Sequence, residues 1–332
     1  MINTEAKLNS KIFDMGEIEM AATRDGFGEG LLIAAEENSN VVALSADVAS
    51  SCRCNLLAEK FPERFFQVGI SEQNLVGVAA GLAMSGKIPF IAAYAVFSPG
   101  RNWEQIRTMI CYNDANVKVV GHHTGLLTGY DGATHQALED IALMRILPNM
   151  KVIVPADAIE AQKAALLAAK ISGPVYIRLA REKTPVFTTN ETPFIPGKAE
   201  IFWESKKPQV LIIGCGPILH NALLAADDLG KEKIGTIVLN NHTIKPLDEN
   251  KIVALAKKCG AVVSVEEHNI FGGLGSAISE VLVKNFPTPM EFIGSRDIFG
   301  ESGKPEELFK KYGLGVKDIK EAVKRVIKKR SL

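Results

Sequence analysis

Short apolar runs recur through the first half of the chain, separated by stretches whose apolar residues fall at helical spacing. N-V-V-A-L-S-A-D (40–47), F-F-Q-V-G-I (65–70), I-P-F-I-A-A-Y (88–94), V-K-V-V-G-H-H (117–123), M-K-V-I-V-P-A-D (150–157) and G-P-V-Y-I-R-L (173–179) read as buried strands. D-G-F-G-E-G-L-L-I-A-A-E-E (25–37) and A-I-E-A-Q-K-A-A-L-L-A-A-K (158–170) read as helices between them. Continuous apolar strands alternating with helices predict a parallel sheet covered on both faces. Between about residues 186 and 208 threonines, prolines and mixed charges break the pattern and predict a linker leading into an edge strand. A second α/β unit follows: Q-V-L-I-I-G-C-G (209–216), I-G-T-I-V-L-N (234–240), A-V-V-S-V-E-E-H (261–268) and a lysine-rich helix at 316–329. The expected division is a domain over 1–190, a linker over 191–207 and a domain over 208–332.

Composition narrows the class. The 332 residues are 47% apolar and 23% charged, with 38 basic and 38 acidic side chains. That balance fits a globular protein of two domains and lacks the basic excess of a nucleic-acid binder. No apolar run approaches the ~20 residues that span a bilayer, and the start, M-I-N-T-E-A-K-L-N-S-K, has no apolar targeting core. Five cysteines (52, 54, 111, 215, 259) form no C-x-x-C pair. They read as reduced thiols of a cytoplasmic protein.

Candidate chemistry gathers in a few places. Gly272-Gly273-Leu274-Gly275 follows a strand and opens a helix, so it is either a tight turn or an anion cradle, without the G-x-G-x-x-G spacing. Residues 121–136, G-H-H-T-G-L-L-T-G-Y-D-G-A-T-H-Q, hold three of the six histidines and four glycines. They follow a strand, where open parallel sheets place their sites. His122 and His123 are adjacent and face opposite ways, which does not make a zinc pair. The segment is either a polar substrate loop or a structural loop with surface histidines. Tyr94 and Phe97, three apart, taken alone read as core. Glu72 opens a helix, where an acid suits the dipole and Ser71 suits the N-cap.

Four segments taken jointly resemble transketolase in order and spacing. They are F-P-E-R-F-F-Q-V-G-I-S-E-Q-N (61–74), Y-A-V-F (94–97) with R-N-W-E-Q-I-R (101–107), D-G-A-T-H-Q-A-L-E-D (131–140) with L-P-N-M (147–150), and R-L-A-R-E-K-T-P (178–185). The resemblance covers essentially the whole chain, but only the C-terminal section of a full-length enzyme. It implies two three-layer α/β domains: a pyrimidine-binding domain of the thiamine-diphosphate fold and a smaller transketolase C-terminal domain.

The resemblance also implies roles. Glu72 matches the glutamate that hydrogen-bonds N1′ of the thiamine diphosphate aminopyrimidine, and a buried carboxyl shares a proton readily. Tyr94 and Phe97 match the rings packing on that pyrimidine, and Asp47 matches an acid near the cofactor. Arg24, Ser51, His123 and Arg181 match positions holding the sugar phosphate; Asp131 and His135 match contacts to substrate hydroxyls. Proton transfer suits the imidazoles of His135 and His123, since histidine ordinarily titrates near ~6.5. S-S-C-R-C-N (50–55) and R-N-W (101–103) depart from the commonest family forms.

The family's G-D-G…N motif, which holds the diphosphate and a Mg²⁺ or Ca²⁺ ion, is not found here. The resemblance therefore implies the small subunit of a cytoplasmic heterotetramer, paired with a transketolase N-terminal-section subunit and acting on sugar phosphates of the pentose phosphate pathway. The methionine start favours a natural subunit over a truncated one. Rival readings are the beta subunit of a 2-oxo acid dehydrogenase, a deoxyxylulose-phosphate-synthase-like enzyme and a non-catalytic subunit.

Overall fold

The computed structural model describes residues 1–330. Its larger sheet has seven strands in the order Thr243–Lys245, Lys151–Ile153, Val175–Arg178, Lys118–His122, Ile88–Tyr94, Val41–Ser45 and Phe65–Gln67. The six from the first half of the chain run parallel. Thr243–Lys245, from the second half, joins antiparallel to Lys151–Ile153.

Alternate side chains of one strand serve opposite layers, because successive residues of a strand point to opposite faces. Val42 and Leu44 pack with Leu75, Val76 and Ala79 of helix Glu72–Met84. Val41 and Ala43 pack with Phe27, Leu31 and Ala34 of helix Thr23–Glu37 and with Ala161, Ala164 and Ala165 of helix Ala158–Lys170. The last two helices touch closely. A Cβ on Gly26 would lie 1.9 Å from the Ala158 carbonyl oxygen, and one on Gly30 would lie 2.5 Å from that of Gln162. Only glycine permits that approach.

The smaller sheet orders as Met290–Ser295, Val262–Asn269, Val210–Gly214, Thr236–Asn240 and Glu200–Glu204. Its first four strands are parallel, and Glu200–Glu204 closes one edge antiparallel. Helices Leu219–Lys231 and Val316–Arg330 cover one face, Glu249–Cys259 and Leu274–Asn285 the other. Both units are therefore three-layer α/β structures. No described helix is long and apolar enough to cross a membrane.

The chain's first residues cross to this second unit. The Met1 ammonium donates to the Glu204 carbonyl at 2.9 Å and Asn3 N–H to that of Phe202 at 3.0 Å, while Ala6, Ile12 and Ile18 enter the core beside Phe187 and Phe202.

A fully buried carboxyl pair fastens the two units. Asp157 caps helix Ala158–Lys170, accepting from the N–H of Glu160, and also binds the Phe187 and Thr188 N–H groups and the Thr188 hydroxyl. Glu160 accepts from Ala156 N–H at 2.8 Å and from the Asn240 amide at 2.7 Å. Burial and then the Asp157 charge push Glu160 up to about 8 from its ordinary 4.5. The raised value means the folded chain holds this proton more tightly. Its stabilising contribution is complete below pH 4.5 and is lost as pH rises through about 8. Asn240 Oδ1 has no partner, and an amide at 160 can supply one after a turn of the Asn240 side chain. Glu160→Gln should thus unfold at the parent's temperature in acid and several degrees higher in alkaline buffer. A parent-like alkaline loss in E160Q would assign the titration elsewhere.

Candidate active site

The C-terminal ends of five adjacent parallel strands carry the candidate residues: Asp47 and Ser51 after Val41–Ser45, Glu72 after Phe65–Gln67, Tyr94 and Phe97 at the end of Ile88–Tyr94, His123 after Lys118–His122, and Arg181 after Val175–Arg178. That edge of an open parallel sheet is where strand-to-helix turns leave side chains clear of the ladder.

Glu72 is the first residue of its helix and only 4% exposed. Ser71 occupies the cap position without capping, because its hydroxyl donates to the Val68 carbonyl instead. The Asn102 amide, fully buried, donates to the Glu72 carbonyl oxygen at 3.0 Å and to Ser98 Oγ at 3.1 Å, stapling the 98–102 turn to the helix start. Arg101 Nη1 reaches Glu72 Oε2 at 3.2 Å, while its guanidinium lies 5.1 Å from the Phe97 ring centre. Glu72 Oε1 carries no hydrogen bond among the described residues.

Beside this carboxylate stands an aromatic and imidazole cluster. Tyr94 and Phe97 stack with centres 6.4 Å apart and planes 27° apart. Tyr94 lies 4.0 Å from the His123 ring, and His135 sits edge-on to Phe97 at 5.6 Å and to Tyr94 at 6.1 Å. His122 turns the opposite way, onto Phe27 at 5.2 Å. Both His122 and His123 are buried, which removes the surface-histidine reading for them. Burial, followed by Arg24, Arg181, His135 and Arg53, pushes His123 down to about 3. His123 is therefore a neutral imidazole at physiological pH, with Nδ1 buried and unpartnered.

A basic rim borders the cluster. Arg24 Nη1 donates to the Ser51 carbonyl at 3.1 Å, and its buried Nε has no partner. Arg181 donates to the Thr128 carbonyl at 3.2 Å and pairs with Asp131 at 2.9 Å. Asp47 shares no hydrogen bond or ion pair with these groups among the described residues. It adopts φ +64°, and its N–H donates to Gln67 Oε1 at 2.7 Å.

The 121–136 loop takes its shape from the second unit. Arg178, buried, pairs with both oxygens of Asp140 and donates to the carbonyls of Ala137 and Glu267. Burial opposes its charge, but Asp140 and then Glu267 outweigh that and hold it firmly protonated. Glu267 Oε1 accepts from Leu127 N–H at 2.7 Å, and the Gln136 amide donates to the Glu301 carbonyl at 3.0 Å. At Gly272–Gly275 the glutamate next door fills the cradle: Glu266 accepts from the N–H groups of Leu274 at 2.7 Å and Gly275 at 2.8 Å. It is a self-capped turn. His268 is likewise occupied, with Nδ1 at 2.7 Å from the Asn269 carbonyl oxygen.

Sequence reasoning missed Arg101, Asn102 and Arg178. The R-N-W departure four residues after Phe97 was the available signal for the first two. Arg178 opens the R-L-A-R-E-K-T-P segment, but nothing in the sequence pairs it with Asp140.

Two outcomes check this geometry. Arg178→Met strands buried carboxylates and should cost roughly 3–5 kcal/mol in urea unfolding; a loss under about 1 kcal/mol, the level of an exposed pair, would demote the hub. The His123 C2 proton should show no titration by NMR above about pH 5, since the imidazole stays neutral there; a midpoint near neutrality would contradict its buried setting.

Comparison with known proteins now adds to the geometry. Residues 19–186 match the transketolase pyrimidine-binding domain and residues 197–319 the transketolase C-terminal domain. A protein of Methanocaldococcus jannaschii described as a transketolase C-terminal section is 41% identical over 92% of this chain and 96% of its own length. The 6-deoxy-6-sulfo-D-fructose transketolase subunit of Clostridium sp. (strain MSTE9) is 38% identical over 93% and 95%. A solved split-gene transketolase, described as an inactive beta4 tetramer, shares 45% identity and a TM-score of 0.86 over 92% of this chain and 98% of that one. The chain belongs to the transketolase family.

Proposed function

We propose that the chain is the small subunit of a heteromeric transketolase. It would transfer a two-carbon ketol unit between ketose and aldose phosphates with thiamine diphosphate. The observation that carries this reading is a buried carboxylate, Glu72, next to the stacked Tyr94 and Phe97 rings. An aminopyrimidine is flat, aromatic and bears ring nitrogens, so it suits an apolar stacking face beside a buried hydrogen-bonding carboxyl.

In this reading Glu72 holds the aminopyrimidine at its ring nitrogen and manages the proton there, using the oxygen that Arg101 leaves open. Tyr94 and Phe97 supply the stacking face, and Asp47 lies at the neighbouring strand end. Thiamine diphosphate, when bound, supplies a nucleophilic carbon that accepts the two-carbon unit. His123, neutral, gives or accepts one hydrogen bond without adding charge. His135 and Asp131 face the sugar hydroxyls, with His135 moving protons there. Arg24, Ser51 and Arg181 hold the phosphate, which guanidinium forks and hydroxyls bind well.

The division of labour is part of the proposal. The pyrimidine-binding domain over 1–190 and the C-terminal domain over 208–332 supply half a cofactor site. The diphosphate and a Mg²⁺ or Ca²⁺ ion fall to an N-terminal-section partner in a heterotetramer, two pairs about a two-fold axis. A split-gene relative described as inactive in a beta4 tetramer supports that need for a partner. A cytoplasmic place in the pentose phosphate pathway goes with the same reading.

Mixed with the partner, thiamine diphosphate and Mg²⁺, the chain should convert a ketose phosphate plus an aldose phosphate. Carbon dioxide release from a 2-oxo acid instead would overturn the assignment. Glu72→Gln should lower kcat roughly 10²-fold or more, the scale of a lost proton-handling group, with its unfolding curve unmoved; parent-like kcat would remove that role. Calorimetry of the chain alone should detect no tight cofactor binding, and tight binding without a partner would refute the split site.

A further inference from the structure

The S-S-C-R-C-N segment departs from the family's common form, and the structure gives its arginine an unusual setting. Cys52 and Cys54 are fully buried, so the turn is anchored on both sides and Arg53 is projected outward between them. Its side chain is 33% exposed. Arg53 holds φ +59°, a left-handed conformation that costs a branched or long side chain energy and persists where the surroundings impose it. Its Cβ fits against helix Thr23–Glu37 because Gly28 has none: a Cβ there would approach that of Arg53 to 2.6 Å.

The guanidinium is fixed on two edges. Nε donates to Asp25 Oδ1 at 2.6 Å and Nη1 to the Ser50 carbonyl at 3.1 Å. Nη2 has no hydrogen-bond partner among the described residues. Arg24 is held alike, by the carbonyl of the next residue, Ser51, with its buried Nε unpartnered. Arg181 is held by the Thr128 carbonyl and Asp131, with Glu182 at 3.8 Å from its Nε. The three charges lie in one neighbourhood: Arg24 and Arg53 are held by the consecutive carbonyls of Ser51 and Ser50, and Arg24, Arg181 and Arg53 all disfavour protonation of His123. Arg53 is also, after burial, the largest influence lowering the Arg24 pKa. Arg53 and Arg181 already carry the carboxylates of Asp25 and Asp131, whereas Arg24 has no carboxylate partner among the described residues and keeps an uncompensated charge beside them.

We propose that Arg53 is a third cation of the substrate's phosphate site, closing with Arg24 and Arg181 on the tetrahedral oxyanion at the far end of the sugar. It thereby sets the preference for phosphorylated over unphosphorylated sugars. This rests on the sugar-phosphate reading of the site. Asp25 serves as the strut that aims the guanidinium, since it engages Nε and leaves Nη2 without a hydrogen-bond partner among the described residues.

The test separates this from the transketolase assignment. The full chain is titrated with inorganic phosphate by calorimetry, comparing parent, Arg53→Ala, Arg53→Lys and Arg325→Ala, the last removing an exposed arginine paired with Glu291 at the far end of the second unit. Loss of one charge-assisted hydrogen bond should weaken phosphate binding about tenfold in R53A, less in R53K and not in R325A. In the assembled enzyme, R53A should raise KM for a phosphorylated ketose about tenfold more than for the same ketose without its phosphate. Equal behaviour of R53A and R325A, or no saturable phosphate binding by the parent, overturns the proposal. If phosphate binding discriminates Arg53 while the assembled protein transfers no ketol unit, the functional reading falls and the oxyanion site stands.

Discussion

A guanidinium taken out of water holds the site's geometry together. Arg178 ends a central strand of the larger sheet and satisfies Asp140 and two carbonyls, one of them on the smaller sheet. A buried ion left without its partner is expensive, so these segments have one economical arrangement. That arrangement fixes Ala137 and Asp140, and through them the loop that carries Asp131 and His135. Loops ordinarily wander over a surface; this one is bolted at its far end to another unit.

The same logic explains where the acid, the rings and the cations meet. Five parallel strands end on one edge, and each ending residue begins a turn whose direction the sheet decides. Glu72 is held by its backbone through Asn102 and by its side chain through Arg101, so the carboxylate and the Phe97 face move as one piece. The second unit gives up its own anion site to Glu266. Its contribution to the first unit is support, delivered through Glu267, Glu301 and Asn240.

Much of this was legible in the chain. Apolar runs without alternation marked the central strands, because a strand buried on both faces has no polar positions to reveal its phase. Glu72 and the aromatic pair were individually bland, and only their joint order singled them out. What the sequence concealed depends on long-range pairing. Strand Thr243–Lys245 is three residues long, too short for any period to show, and is a strand only because Lys151–Ile153 offers an edge. Met290–Ser295 begins half-buried and carries Glu291, so no continuous apolar run marks it as a strand. Arg178, within V-Y-I-R, looked like the polar end of a strand; that Asp140 waits for it is a fact of the fold alone.

The edge strand borrowed from beyond residue 240 has a bearing on how the polypeptide matures. During synthesis the larger sheet lacks its last member until some ninety residues after Lys151–Ile153 have been made. Until then that strand presents bare amide and carbonyl groups, the template on which nascent chains pair wrongly. The first residues wait as well, since Phe202 and most other members of the apolar cluster around Ile12 and Ile18 belong to the second unit. The two halves are sewn to each other in both directions. Cutting the gene between them would yield two fragments with ragged seams rather than two free-standing folds.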